Sequence, residues 1–180
     1  MRRPKRIILA FLVLLLLPML LIACLSLYYF WPMNELPCDV RADRVIVYKD
    51  DRVLLLMSGD DVLKRYPVSL GRNPVGDKIC QGDKRTPEGE YVLDWKNPNS
   101  LAYKSIHISY PNAADRCEAA EHGCSAGGNI MLHGIANGQG RLGRFHRFWD
   151  WTSGCIAVTD QEMEELYRVI PTGTPIEIKP

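Results

Sequence analysis

Residues 130–158 read IMLHGIANGQGRLGRFHRFWDWTSGCIAV. A short apolar run ends in His133-Gly134, and a second one, Ile156-Ala157-Val158, follows Thr152-Ser153-Gly154-Cys155. The stretch sets a base and a nucleophile on two neighbouring segments. No other arrangement in the chain is as well suited to covalent chemistry.

A free thiol titrates at about 8.5 and attacks poorly until it loses its proton, which a nearby imidazole brings about. His133 would take that proton from Cys155 and later return it to a leaving group. Small residues before the cysteine let successive backbone N–H groups turn toward one point, so Ser153, Gly154 and Cys155 are candidate oxyanion donors. Acyl transfer needs those parts and neither metal nor cofactor. On spacing alone the same residues also suit a small buried thiol with an unrelated histidine.

Taken together, His133-Gly134 and Thr152-Ser153-Gly154-Cys155-Ile156 resemble the signature of the L,D-transpeptidase catalytic domain, or YkuD-like domain, of bacterial cell-wall enzymes. Further matching pieces follow the family's order: Gly71, residues 82–91 (GDKRTPEGEY) and residues 173–178 (GTPIEI). The resemblance covers residues 43–180. It implies a mostly β domain, a β-sandwich of mixed sheets with one or two short helices.

The resemblance also implies a peptidoglycan L,D-transpeptidase acting in cell wall biogenesis and cell shape. Cys155 would attack the carbonyl joining an L-centred and a D-centred residue of a stem peptide and form a thioester. His133, oriented by the Gly134 carbonyl, would be base and then acid. With water as acceptor the same chemistry gives an L,D-carboxypeptidase or amidase-type hydrolase, and without turnover the cleft would be a wall-binding module.

Two positions depart from the family pattern. Ser153 stands where many members carry a second histidine, and Ala157 where many carry Arg or Asn. Arg141, Arg144 and Arg147 are candidates to bind a substrate carboxylate instead, since guanidinium forks suit that task. They equally suit a solvated loop. His146, among them, is expected to line the cleft or support Cys155.

From Ile7 to Trp31 the chain has no Asp, Glu, Lys or Arg. As a helix, residues 7–31 would span about 37 Å, enough for a bilayer core of about 30 Å. Arg2, Arg3, Lys5 and Arg6 would stay cytoplasmic, with Tyr28, Tyr29 and Trp31 at the far interface. This predicts a single-pass anchor in the inner membrane with the domain in the periplasm. A rival reading takes Leu21-Ile22-Ala23-Cys24 as a lipoprotein site with Cys24 lipidated, although the residues after Cys24 stay apolar. Residues 1–31 thus form the anchor or signal segment, 32–42 a linker containing Pro32 and Pro37, and 43–180 the catalytic domain. Charge is nearly balanced, 22 Lys plus Arg against 21 Asp plus Glu, which speaks against a nucleic-acid partner. Protein partners are not legible.

Residues 45–48 and 53–57 are β-rich runs joined by Lys49-Asp50-Asp51-Arg52, a hairpin. Residues 63–70 predict a further strand, with Pro67 placing it at an edge or bulge. Residues 72–89 form a long loop leading into a strand at 90–95. Alternation over 104–110 puts Ser105, His107 and Ser109 on one face. There His107, with Tyr103, is a candidate substrate contact or simply a hydrogen-bonded sheet residue. Residues 160–170 read as a helix capped at Thr159 or Asp160, burying Met163, Leu166, Tyr167 and Ile170 and exposing Glu162, Glu164 and Glu165. A final strand at 175–178 closes a sheet.

With Cys155 free, Cys38, Cys80, Cys117 and Cys124 remain in the exported portion, an even number suited to an oxidising compartment. Of three possible pairings, Cys117 with Cys124 and Cys38 with Cys80 is favoured. The competing use, zinc at Cys117-x4-His122-x-Cys124, lacks the spacing of structural sites, and no metal site is expected.

Overall fold

The computed structural model describes the backbone of residues 3–180 and the side chains of residues 12–180. Two compact units divide between Asn34 and Glu35. The first is one helix, α1 (Arg3–Phe30). Its Leu12–Phe30 window has mean hydropathy 2.5 and is long enough for a bilayer core, a property shared by anchors and signal sequences. The side chains of the basic cluster Arg2, Arg3, Lys5 and Arg6 lie outside the described residues.

The second unit is mostly β. Its strands are β1 (Arg44–Tyr48), β2 (Val53–Ser58), β3 (Asp61–Pro67), β4 (Gly89–Asn97), β5 (Ser105–Ile108), β6 (Met131–His133), β7 (Ile156–Ala157) and β8 (Thr174–Lys179). They form one mixed sheet in the order β3-β2-β1-β8-β4-β5-β6-β7. The β1–β8 and β6–β7 pairs are parallel and the others antiparallel. The strand expected over 63–70 stops at Pro67, on the edge strand β3, and one more bond, from Val68 N–H to Arg52 O at 2.9 Å, follows it. The chain then crosses to the opposite edge, where Ser69 bridges Ala157 and Gly71 bridges Thr152. The two edges are thereby joined, and the layers of the sandwich belong to one curled ladder around a shared core that includes Val45, Leu56, Leu93, Ile106, Leu132 and Ile156.

Two helices complete the unit. Helix α2 (Ala113–Glu121) starts after the cis Tyr110–Pro111 bond, with a capping box between Asn112 and Asp115. Helix α3 (Asp160–Val169) starts at Thr159 with a capping box to Glu162. Met163, Leu166, Val169 and Ile170 are buried beneath α3. The acidic residues depart from expectation, because Glu162 and Glu165 are buried rather than solvated. Glu165 accepts from the Tyr66 hydroxyl at 2.9 Å, from Lys64 and from the Leu36 N–H. Glu162 holds Arg147. Glu164 stays exposed and pairs with Lys104. The segment leading into β1 is tied to the same helix: Arg168 donates to the carbonyls of Leu36 and Pro37, and Ala42 N–H donates to Val169.

The expected disulfide pairing is wrong. Cys80 bonds Cys124, while Cys38 and Cys117 are free and exposed. Residues 113–121 are helical, so the short loop assumed between Cys117 and Cys124 does not exist. Cys124, past the helix end, instead faces the 72–88 loop, where Gln81 N–H donates to Ser125 O. The bond also removes Cys124 from any zinc set. Across a separation of 44 residues, loop-closure entropy predicts a stabilisation of at most about 4 kcal/mol. Replacing Cys80 and Cys124 together by serine should lower unfolding stability by about 2 to 4 kcal/mol in urea titration.

Candidate active site

Register brings the two motifs together. Strands β6 and β7 run parallel with Leu132 opposite Ile156 and His133 opposite Ala157. Leu132 and Ile156 enter the core, so alternation turns His133, and Cys155 just before β7, to the opposite face. Extending the register by one residue sets Cys155 beside Met131. His133 ends β6 and Cys155 immediately precedes β7, so the ladder between the two strands sets their separation.

The His133 ring has a defined tautomer. Its Nδ1 lies 2.6 Å from the Gly134 carbonyl, which can only accept, so Nδ1 carries the proton and Nε2 is left with a lone pair. Burial pushes its pKa down and so favours the neutral ring, while the bond to Gly134 opposes the shift. Burial pushes the Cys155 thiol up, while an N–H of Met131 and the charge of Lys78 draw it back. The resting pair is therefore thiol and imidazole, and attack requires proton transfer to a base.

The turn before Cys155 is built tightly. Thr152 Oγ1 donates to the Cys155 carbonyl at 2.7 Å and accepts from Gly154 N–H at 3.1 Å. Gly154 has φ +129°, and a Cβ there would stand 2.6 Å from Arg85 O, so only glycine fits. Gly71 is equally constrained, since a Cβ would meet Lys84 O at 2.1 Å. The 72–88 loop thus lies directly against the nucleophile turn. Buried Lys49 secures it through Gly76 O, Thr86 O and Glu88, and Lys78 does so through Cys80 O and Asp83. Of the expected oxyanion donors, Gly154 N–H is thus engaged by Thr152. Ser153 and Cys155 remain the candidates.

Several expected substrate contacts are placed otherwise. His146 is fully buried, with Nδ1 3.3 Å from the Trp151 indole N–H and 3.1 Å from Ser69 Oγ. Burial foremost, then electrostatic interaction with Arg147 and His133, push its pKa down to about 3. It cannot touch substrate; it stands behind Trp151, whose ring meets His133 edge-on at 5.7 Å. Arg147 is also removed, bound through one nitrogen to both carboxylate oxygens of Glu162 with its side chain 10% exposed. Arg141 and Arg144 lie in the 3₁₀ segment Gly140–Phe148 that precedes Trp151. Tyr103 packs beside Gly134 and donates its hydroxyl to Glu164 at 2.8 Å. His107 shares the face of Met131 and Cys155, bonded to Asp94 at 2.7 Å. Ser105, on the same face of β5 as His107, is buried opposite His133. Ala157 is buried and bonded both ways to Ser69, so the position that is Arg or Asn in many relatives carries no polar side chain here. Sequence reading missed Thr152 and Trp151; the hydroxyl's short-range reach within Thr-Ser-Gly was the available signal.

Fold and site geometry define one family. The chain belongs to the L,D-transpeptidase catalytic domain family, YkuD, whose model matches residues 42–178. It is similar to YafK of Escherichia coli (strain K12), with 30% identity over 131 residues, 69% of this chain and 45% of the relative. It is also similar to YqjB of Bacillus subtilis (strain 168), with 29% identity over 153 residues, 82% of this chain and 77% of the relative. Both are named for the L,D-transpeptidases. Among solved structures, the helical cell shape determining protein Pgp2 of Campylobacter jejuni superposes with TM-score 0.58 at 26% identity, covering 78% of this chain and 48% of that one. The chain spans about half the length of YafK and of Pgp2.

Proposed function

We propose that the protein is a peptidoglycan L,D-transpeptidase working through a thioester on Cys155. The observation that carries the reading is the His133 tautomer: Nδ1 is committed to Gly134, and the lone pair on Nε2 belongs to a ring on the same face as the thiol. In the first half-reaction Cys155 Sγ bonds to the carbonyl carbon as its proton passes to His133 Nε2. The negative oxygen is held by N–H groups of Ser153 and Cys155. The C–N bond breaks, and His133 returns the proton to the departing D-residue's amine. In the second half an acceptor amine attacks the thioester, gives its proton to His133 and frees the thiol. With water in place of the amine, the same steps hydrolyse the stem.

The apolar α1 supports an anchor that holds residues 43–180 as a catalytic domain on the periplasmic side of the inner membrane. Kinship with a cell shape determining protein supports a role in wall biogenesis and shape.

The test is intact mass of the full chain in detergent after incubation with a purified stem peptide. Wild type should carry a transient adduct equal to the stem minus its terminal D-residue, and Cys155→Ala none. An added amine should convert the adduct to a crosslinked product, whereas free acid alone would mark a hydrolase. Turnover by Cys155→Ala would overturn the mechanism.

A further inference from the structure

The same face that holds Cys155 and His133 continues across two more strands. His107 in β5 is opposite Met131 in β6, and Met131 is beside Cys155 in register, so the three form one row. The imidazole of His107 stacks on Trp95, ring centroids 5.2 Å apart and planes 18° apart. Its Nδ1 is fixed by Asp94 at 2.7 Å. Trp95 is nevertheless 43% exposed. It owes that position to an irregularity in β4, where the register with β5 shifts between Leu93 and Lys96. Bulges of this kind re-aim side chains beside active sites.

We propose that Trp95, braced by His107 and flanked by Asp94, is a glycan subsite that seats an N-acetylated amino sugar of the wall polymer. The proposal rests on the reading above that the substrate is peptidoglycan. Three features match a sugar. An exposed indole offers an electron-rich face to the C–H bonds of a pyranose ring. The Asp94 carboxylate, 39% exposed at the rim of the stack, can accept from sugar hydroxyl or amide groups. The plate is rigid, because stacking and the Asp94 bond fix the supporting ring, so little rotamer freedom is lost on binding.

Spacing fits as well. Trp95, in β4, and Cys155, beside β7, are separated by three strand spacings, on the order of 15 Å. An extended run of about three stem residues together with its link to the sugar covers a comparable distance. With the scissile carbonyl at Cys155, the sugar bearing that stem falls at the Trp95 plate, so glycan-linked stems would be engaged at both ends and free stems at one.

The experiment is isothermal titration calorimetry of the full chain in detergent micelles with β-1,4-linked N-acetylglucosamine tetramer. Wild type should bind saturably at about millimolar concentration, and Trp95→Ala should weaken binding by about tenfold or more. Trp95→Phe, which keeps a ring and guards against misfolding of the alanine variant, should restore most of it. Cys155→Ala should bind the tetramer as wild type does. Absence of binding by wild type, or equal binding by wild type and Trp95→Ala, overturns the subsite. Tetramer binding through Trp95 without any stem adduct at Cys155 would instead sustain the subsite and remove the transpeptidase reading.

Discussion

His133→Asn should slow thioester formation by about 10²- to 10⁴-fold near neutral pH, the range that a positioned general base contributes. The pH dependence of the loss identifies its cause. Burial holds His133 below its ordinary value of 6.5 and raises the Cys155 thiol above 9.0. In wild type, base and thiol are both in their working forms between those limits, so kcat/KM should be flat through neutrality. It should fall on the acid side only as His133 gains a proton, below pH 6.5. In His133→Asn that acid limb disappears. The residual rate should then follow the thiolate fraction, rising about tenfold per pH unit up to the thiol's raised pKa. A stopped-flow pH series with a chromogenic thioester-forming substrate measures both profiles. A variant that keeps a flat neutral plateau would place the base elsewhere.

The sequence made that pair legible because each half is local. His133-Gly134 and Thr152-Ser153-Gly154-Cys155 carry their turn chemistry within four residues, and the apolar runs beside them are strands. The hairpin at 45–57 and the helix after Thr159 were legible for the same reason, since period and cap are short-range signals. What failed was long-range. Glu162 and Glu165 look like a solvated face until Arg147, Lys64 and Tyr66 arrive from other elements. Helix α2 is not read from the sequence although Asn112 and Asp115 form a capping box, because Cys117 within it and Cys124 past its end suggest a small closed loop. The Cys80–Cys124 bond depends on where the 72–88 loop lies, which no spacing encodes. His146 and Arg147 were grouped with Arg141 and Arg144 by adjacency alone. The 3₁₀ turns around non-helical Gly143 send these residues to different surroundings.

Arg147→Met should destabilise the fold by about 3 to 5 kcal/mol, because it strands the carboxylate of Glu162 without its cation in a buried setting. The Glu162 side chain is 7% exposed. Its oxygens also accept from Thr159 N–H at 3.0 Å and from the Thr159 hydroxyl at 2.7 Å, so the carboxylate cannot swing to solvent without undoing the N-cap of α3. The N-cap of that helix, Thr159, lies four residues beyond Cys155. Val158 N–H, between them, donates to His133 O at 3.0 Å. Loss of the cap would therefore loosen the chain segment that fixes nucleophile and base together. Adding Glu162→Gln to Arg147→Met removes the stranded charge while keeping an acceptor for Thr159, and should recover much of the loss. Urea unfolding of the two single variants and the double gives the coupling directly. The same set separates structure from binding. If Arg147 gripped a substrate carboxylate, Arg147→Met would raise KM on a stem peptide and the second substitution would not repair it. With Arg147 committed to Glu162, stability and activity should fall together in the single variant and return together in the double.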